Sequence, residues 1–339
     1  MQSAKFSAKR KTCRLSGKAI SGLTVISALL ATSGVAQADE QYCYENYQCY
    51  QEDHESIQVY QSLVTRAALD YSALVSQIIG ARKNQARNRA SSDNSSRGTA
   101  GAAGGERWSV WGAGAHGNMA QSFLNASGHA NVALGGVDYT LNNDVILGVA
   151  GSVERSKTTS FGTRIEGDGY SLAPYVAIPL NANWLLDASI GIGRTDVDSI
   201  TGAFVVSAKD RRTFESLSLT YATDMGKWQL QGKASYLGSK DKFNTTPGTT
   251  SKLNQVRVGG QATYDAGNML PYLAVTFIRD VSTPPAIVGS ANDRDAIQLQ
   301  GGVNIYSSGP LSGGLSYSHE ANRKEVKNNV LVANLSYRF

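Results

Sequence analysis

Ser318-His319-Glu320 sets a hydroxyl, an imidazole and a carboxylate side by side, the groups from which a nucleophile–base pair is built. His116 and His129 could join them only if the first and last parts of the fold are neighbours. No Gly-x-Ser-x-Gly elbow and no paired-histidine metal spacing accompanies these residues, so ordinary polar side chains are the stronger reading. Cys43 and Cys49 are a second candidate. Outside the reducing cytoplasm they would join into a small loop. The metal half-site alternative has only His54 nearby to complete it. Gly101-Ala102-Ala103-Gly104-Gly105 lacks the Lys-Ser/Thr ending of a phosphate loop. The sequence calls for no cofactor and no metal.

The start of the chain says where such groups would work. Lys5, Lys9, Arg10, Lys11, Arg14 and Lys18 precede an apolar stretch from Ala19 to Val35, and Ala36-Gln37-Ala38 offers a small-x-small cleavage site. This is a secretion signal, residues 1–38, cut near Ala38. The apolar run is too short and interrupted for a membrane helix, which needs about 20 residues. The whole chain has 32 basic and 27 acidic residues. Losing those six cations leaves the mature chain close to neutral, so nucleic acid is not an expected partner.

Three textures follow. Residues 39–54 are polar and hold the cysteine pair. Over 55–89, Ile57, Tyr60, Leu63, Val64, Ala67, Ala68, Tyr71, Leu74, Val75, Ile78 and Ile79 recur at helical spacing. Arg82, Lys83, Arg87 and Arg89 sit where a helix dipole favours cations. A helix of about 30 residues would be about 45 Å long. Residues 90–106 read as a Ser/Gly-rich linker.

From residue 107 to 339 the period is two. In Trp228-Gln229-Leu230-Gln231-Gly232-Lys233, and again around Arg257, Gln261, Gln298, Gln300 and Asn304, apolar and polar side chains alternate. The apolar faces carry Gly and Ala with aromatics toward the ends, as a lipid band with interfacial girdles requires. Short turns near 142–143, 181–183, 225–226, 266–268 and 308–310 alternate with longer polar segments near 116–126, 156–165, 196–208, 238–252, 281–293 and 319–327. These predict about twelve antiparallel strands in up-and-down order, an all-β transmembrane barrel. On this pattern Asp187, Gln229, Gln231, Lys233, Arg257, Gln261, Gln298, Gln300, Asn304 and Arg338 face the lumen. Gly148, Gly191, Gly259, Gly302 and Gly314 would leave room there for a helix backbone.

The last nine residues, Leu331 to Phe339, alternate to the end of the chain. Leu335, Tyr337 and Phe339 resemble the signal that closes bacterial outer-membrane barrels and is read by their assembly machinery. Trp108-Ser109-Val110-Trp111-Gly112-Ala113-Gly114, Gly167 to Val176 and Trp184 to Ser189 resemble the translocator domain of autotransporters (type V secretion). That resemblance implies a twelve-stranded barrel in the outer membrane of a Gram-negative cell, reached by Sec export with periplasmic chaperones. It also implies a lumen crossed by the helix that precedes the first strand. The chain resembles the solitary, passenger-less members and lacks the Asn-Asn cleavage pair in its helix. The expected function is anchoring or displaying the segment 39–54, without enzymatic activity. The rivals are a passive channel and, more distantly, a hydrolase at the barrel rim.

Overall fold

The computed structural model describes residues 107–122, 125–201, 204–243, 250–282, 294–306 and 310–339. The signal peptide, the Cys43–Cys49 segment, the helix over 55–89 and the linker lie outside them.

Twelve strands run in chain order: β1 (Trp108–Gln121), β2 (Ala126–Thr140), β3 (Ile146–Ser160), β4 (Thr163–Pro179), β5 (Trp184–Thr201), β6 (Phe204–Met225), β7 (Trp228–Phe243), β8 (Thr250–Tyr264), β9 (Met269–Ser282), β10 (Asp295–Tyr306), β11 (Leu311–Ala321) and β12 (Val326–Arg338). Each pairs antiparallel with the next, and β12 returns to β1 with Ser109 opposite Arg338 and Gln121 opposite Val326. The barrel is closed. Closure leaves no strand edge unpaired, as hydrocarbon demands of every backbone donor and acceptor.

Alternation decides the two faces. Ile190, Ile192 and Leu273 point outward and are 63%, 64% and 73% exposed. Apolar exposure on that scale has a physical reason only where lipid replaces water. A girdle marks the short-turn end, where Trp108–Tyr139, Trp184–Tyr221 and Trp228–Tyr264 stack as tilted pairs with centroids 5.0, 5.0 and 5.1 Å apart. Each pair is a directly opposed cross-strand couple.

Among the described residues, three of the longer polar segments are shorter than the sequence suggests. A transmembrane strand needs about 9–11 residues, yet β6 has 22 and β5 has 18. β3 and β4 meet in a two-residue turn at Phe161-Gly162, with φ of 47° and 81°, the positive values a tight hairpin turn requires. Residues 156–160 and 163–165, read as loop, are strand. So are most of 116–126 and 196–208. Above the lipid the outer face meets water and the inner face carries charged side chains, so the apolar alternation stops while the hydrogen-bonded ladder continues.

The inward glycines also differ from expectation. A Cβ on Gly148 would enter the Tyr175 ring, one on Gly191 the Phe214 ring, and one on Gly302 the Tyr272 ring. The side chains of Thr276 and of Asn304 occupy the corresponding space at Gly259 and Gly314. These glycines seat side chains of neighbouring strands. Trp111 lies over Gly136 in the same way. Its indole Nε1 donates to Tyr175 Oη at 2.9 Å, and Tyr175 donates in turn to Asp138 Oδ2 at 2.6 Å. With Leu134, Ala150, Ala173, Leu185 and Phe214, these rings form the apolar cluster on the inner wall.

Candidate functional site

At the height of the lipid band the inner wall is polar from β5 round to β10, opposite the apolar cluster. Asp187 on β5 stands opposite Ser218, which stands opposite Ser235, which stands opposite Arg257. Lys233 lies between Thr220 and Gly259. Asp187 and Ser218 are each 1% exposed. Arg257 donates twice to Gln255 Oε1, at 3.0 and 2.7 Å. Gln229 donates to Asp224 at 3.1 Å and Gln261 to Thr263 Oγ1 at 2.9 Å. Gln300 donates to Tyr272 Oη at 3.3 Å. Gln231, Gln298 and Asn304 are half-buried on this face, and Arg338 lies near the short-turn end opposite Ser109. Leu335, Tyr337 and Phe339 face outward and are about half exposed.

Toward the loop end the charges condense into two networks. Arg212 on β6 donates from Nε to Asp241 on β7 and from Nη1 to Glu154 on β3, both at 2.9 Å. Thr195 on β5 donates to the same Glu154 oxygen at 3.1 Å. Arg323, between β11 and β12, donates to Glu320 at 2.6 Å and to Asp280 on β9 at 3.0 Å. Gln255 completes this second network by donating to Asp280 at 2.7 Å. A guanidinium's planar fork suits such bridging between carboxylates.

Beside the first network, Asp210 is fully buried and neither of its oxygens has a hydrogen-bond partner. Its strand neighbours Lys209 and Arg211 point outward and are exposed, which puts this level beyond the hydrocarbon. Burial, and then the Asp241 carboxylate, push Asp210 up to about 8. On the outer face of the same zone, hydrogen bonds from Arg164 and Lys157 hold Glu166 below its ordinary value.

The networks at the mouth were not singled out from the sequence. Their signal was present: Ser152, Glu154 and Ser156 keep the inward parity, as do Asp210, Arg212 and Phe214. Asp241, Glu320 and Arg323 fall in segments read as loops, where parity has no meaning, and their partners lie on strands distant in sequence.

The rim constellation does not assemble. Alternation turns Ser318 and Glu320 inward and His319 outward. Glu320 is taken by Arg323, and His319 Nδ1 lies 2.6 Å from Asn329 Oδ1. His116 and His129 do approach each other, with rings 6.0 Å apart, but on the outer wall of β1 and β2. No hydroxyl is poised against a base there. Among the described residues no cluster of His, Cys, Asp and Glu is arranged around a metal-sized centre.

Comparison with known proteins gives this architecture a family. A family model described as the autotransporter beta-domain matches residues 109–318. Among solved structures, the translocator domain of NalP from Neisseria meningitidis is 13% identical with a TM-score of 0.58, covering 81% of this chain and 99% of that one. The beta domain of the Bordetella autotransporter BrkA is 15% identical with a TM-score of 0.59, covering 69% and 100%. The transport unit of AIDA-I from Escherichia coli is 11% identical with a TM-score of 0.52, covering 77% and 98%. At these identities the structures share the fold. Comparison with curated proteins finds no match. With more than half its length matched by the family model, and a closed twelve-stranded barrel as its structure, the chain belongs to the autotransporter beta-domain family.

Proposed function

We propose that the barrel anchors the segment preceding it, with the helix over 55–89 running through the lumen and residues 39–54 displayed at the cell surface. The inner wall supports this reading. Twelve strands enclose more space than the roughly eight-stranded barrels that their own side chains fill. Yet Asp187, Ser218, Thr220 and Gln229 on that wall are between 1% and 6% exposed. Water lining an open pore would leave such groups wet. A polar helix face would bury them and supply hydrogen-bond partners.

Membrane-impermeant maleimide on intact, mildly reduced cells tests the topology. Labelling of Cys43 and Cys49 without permeabilisation is expected. Labelling only after the outer membrane is opened would place the segment in the periplasm and reject the reading. The rival, a passive channel, would instead need a continuous wet path past the same wall.

A further inference from the structure

The outer wall above the lipid band divides into two sectors that treat charge differently. On β3 and β4 the outward charges neutralise one another. Arg155 pairs with Asp168 at 2.9 Å, Lys157 with Glu166 at 3.1 Å, and Arg164 with the same Glu166. Among the described outward charges on β5 to β8, only Arg194 and Asp196 pair, at 3.8 Å. Arg194, Arg211 and Lys242 stand directly opposite one another across three strands. One row nearer the membrane, Lys240 stands opposite Lys252. Among the described residues no side-chain partner accompanies Arg211, Lys240, Lys242 or Lys252. The nearby acids are Asp196, 3.8 Å from Arg194 and opposite Lys209, Asp198 above it, which accepts from Ser207, and the exposed Glu215 on β6.

Like charges directly opposite on neighbouring strands are destabilising, and here two adjacent rows repeat the arrangement. The cost is recovered if anions arrive from outside the barrel. The height of the patch says which anions. The Lys240–Lys252 row continues through Thr213 to Ile192, which is 64% exposed at the top of the apolar face. The next row holds Ile190, Glu215 and Asn254, and beneath it come Leu217, Val256 and Val258, exposed at 50%, 38% and 52%. Lysine and arginine stems at such a boundary lie along apolar surface with their heads in the aqueous layer. The layer they reach is the headgroup zone at the end opposite the Trp–Tyr girdle.

From this juxtaposition of an unneutralised cation cluster with the upper edge of the apolar face, we infer that the β5–β8 wall binds a phosphorylated lipid of the outer leaflet. Its acyl chains would lie against Ile190, Ile192 and Leu217, and its phosphates among Arg194, Arg211, Lys240, Lys242 and Lys252. A membrane lipid is favoured over a free anion because on β5 the outward apolar side chains run unbroken from Leu186 through Ile190 and Ile192 to Arg194. Guanidinium groups add forked donors that match phosphate oxygens.

The test titrates the full chain, folded in neutral detergent micelles, with bisphosphorylated lipid A, and counts lipids retained per barrel by native mass spectrometry. Dephosphorylated lipid A and inorganic phosphate are the comparison probes. Expected are saturable retention of the phosphorylated lipid, weakening as salt rises, and no displacement by equimolar inorganic phosphate. The triple variant R211Q/K240Q/K242Q should bind on the order of a hundredfold more weakly, from the typical contribution of a basic residue at an anionic surface. Variant R155Q/K157Q, on the self-neutralised sector, should bind as the parent does. Heat-modifiable migration shows whether each variant folds, and the charge-preserving K240R/K242R should retain binding if the triple does not fold. Undiminished binding by the folded triple variant, equal retention of dephosphorylated lipid, or displacement by phosphate would each overturn the assignment.

Discussion

Arg212 holds Glu154 and Asp241 from two sides and is itself 5% exposed. Desolvating three charges costs energy that their mutual attraction largely repays, so the network contributes less to net stability than its contacts suggest. Breaking it is another matter. Arg212→Ala would leave two carboxylates uncompensated next to Asp210. Urea unfolding of the folded barrel, followed by tryptophan fluorescence, should show a loss of about 3–5 kcal/mol. Arg155→Ala is the comparison, because that pair is 85% and 70% exposed. It should cost about 0–1 kcal/mol. Equal losses would mean that Arg212 is solvated and that the mouth is open to water.

At the scale of the strand, one sheet passes through two solvents and its side chains record where it changes. On β5 the outward side chains run Trp184, Leu186, Ala188, Ile190, Ile192, then Arg194, Asp196 and Asp198. Leu217 on β6, opposite Ala188, lies near the middle of that band. Leu217→Arg should destabilise the barrel by about 2–4 kcal/mol, and Val205→Arg, beyond the charged row, by about 0–1 kcal/mol. Matched values in the same unfolding measurement would misplace the membrane boundary. The lipid-crossing part of the fold was legible from the sequence because period-two alternation tracks a difference between solvents. Strand number and the tight turns follow from that contrast. The upper extensions of β3 to β6 were not legible, since polar side chains on both faces remove the contrast while leaving the backbone pairing intact. The glycines were misjudged for a related reason. A sequence shows that Gly148 and Gly191 are small, but the ring that fills each notch comes from the next strand and is set by register.

For the whole molecule, the account rests on closure around an occupied, polar lumen. Closure follows from the β1–β12 register, and polarity from the inward row of Asp187, Ser218, Ser235 and Arg257. The lumen candidates could be named from alternation along single strands, whereas the mouth networks that bridge β3 to β7 and β9 to β11 depend on strands far apart in sequence. Occupancy is the proposal, and electrical conductance reads it most directly. Single-channel recordings in planar bilayers should find the chain from residue 39 onward nearly silent. The same chain lacking residues 39–105 should open a steady, weakly selective pore. A full-length protein conducting as well as the truncated one would contradict the account and leave a passive channel as the function.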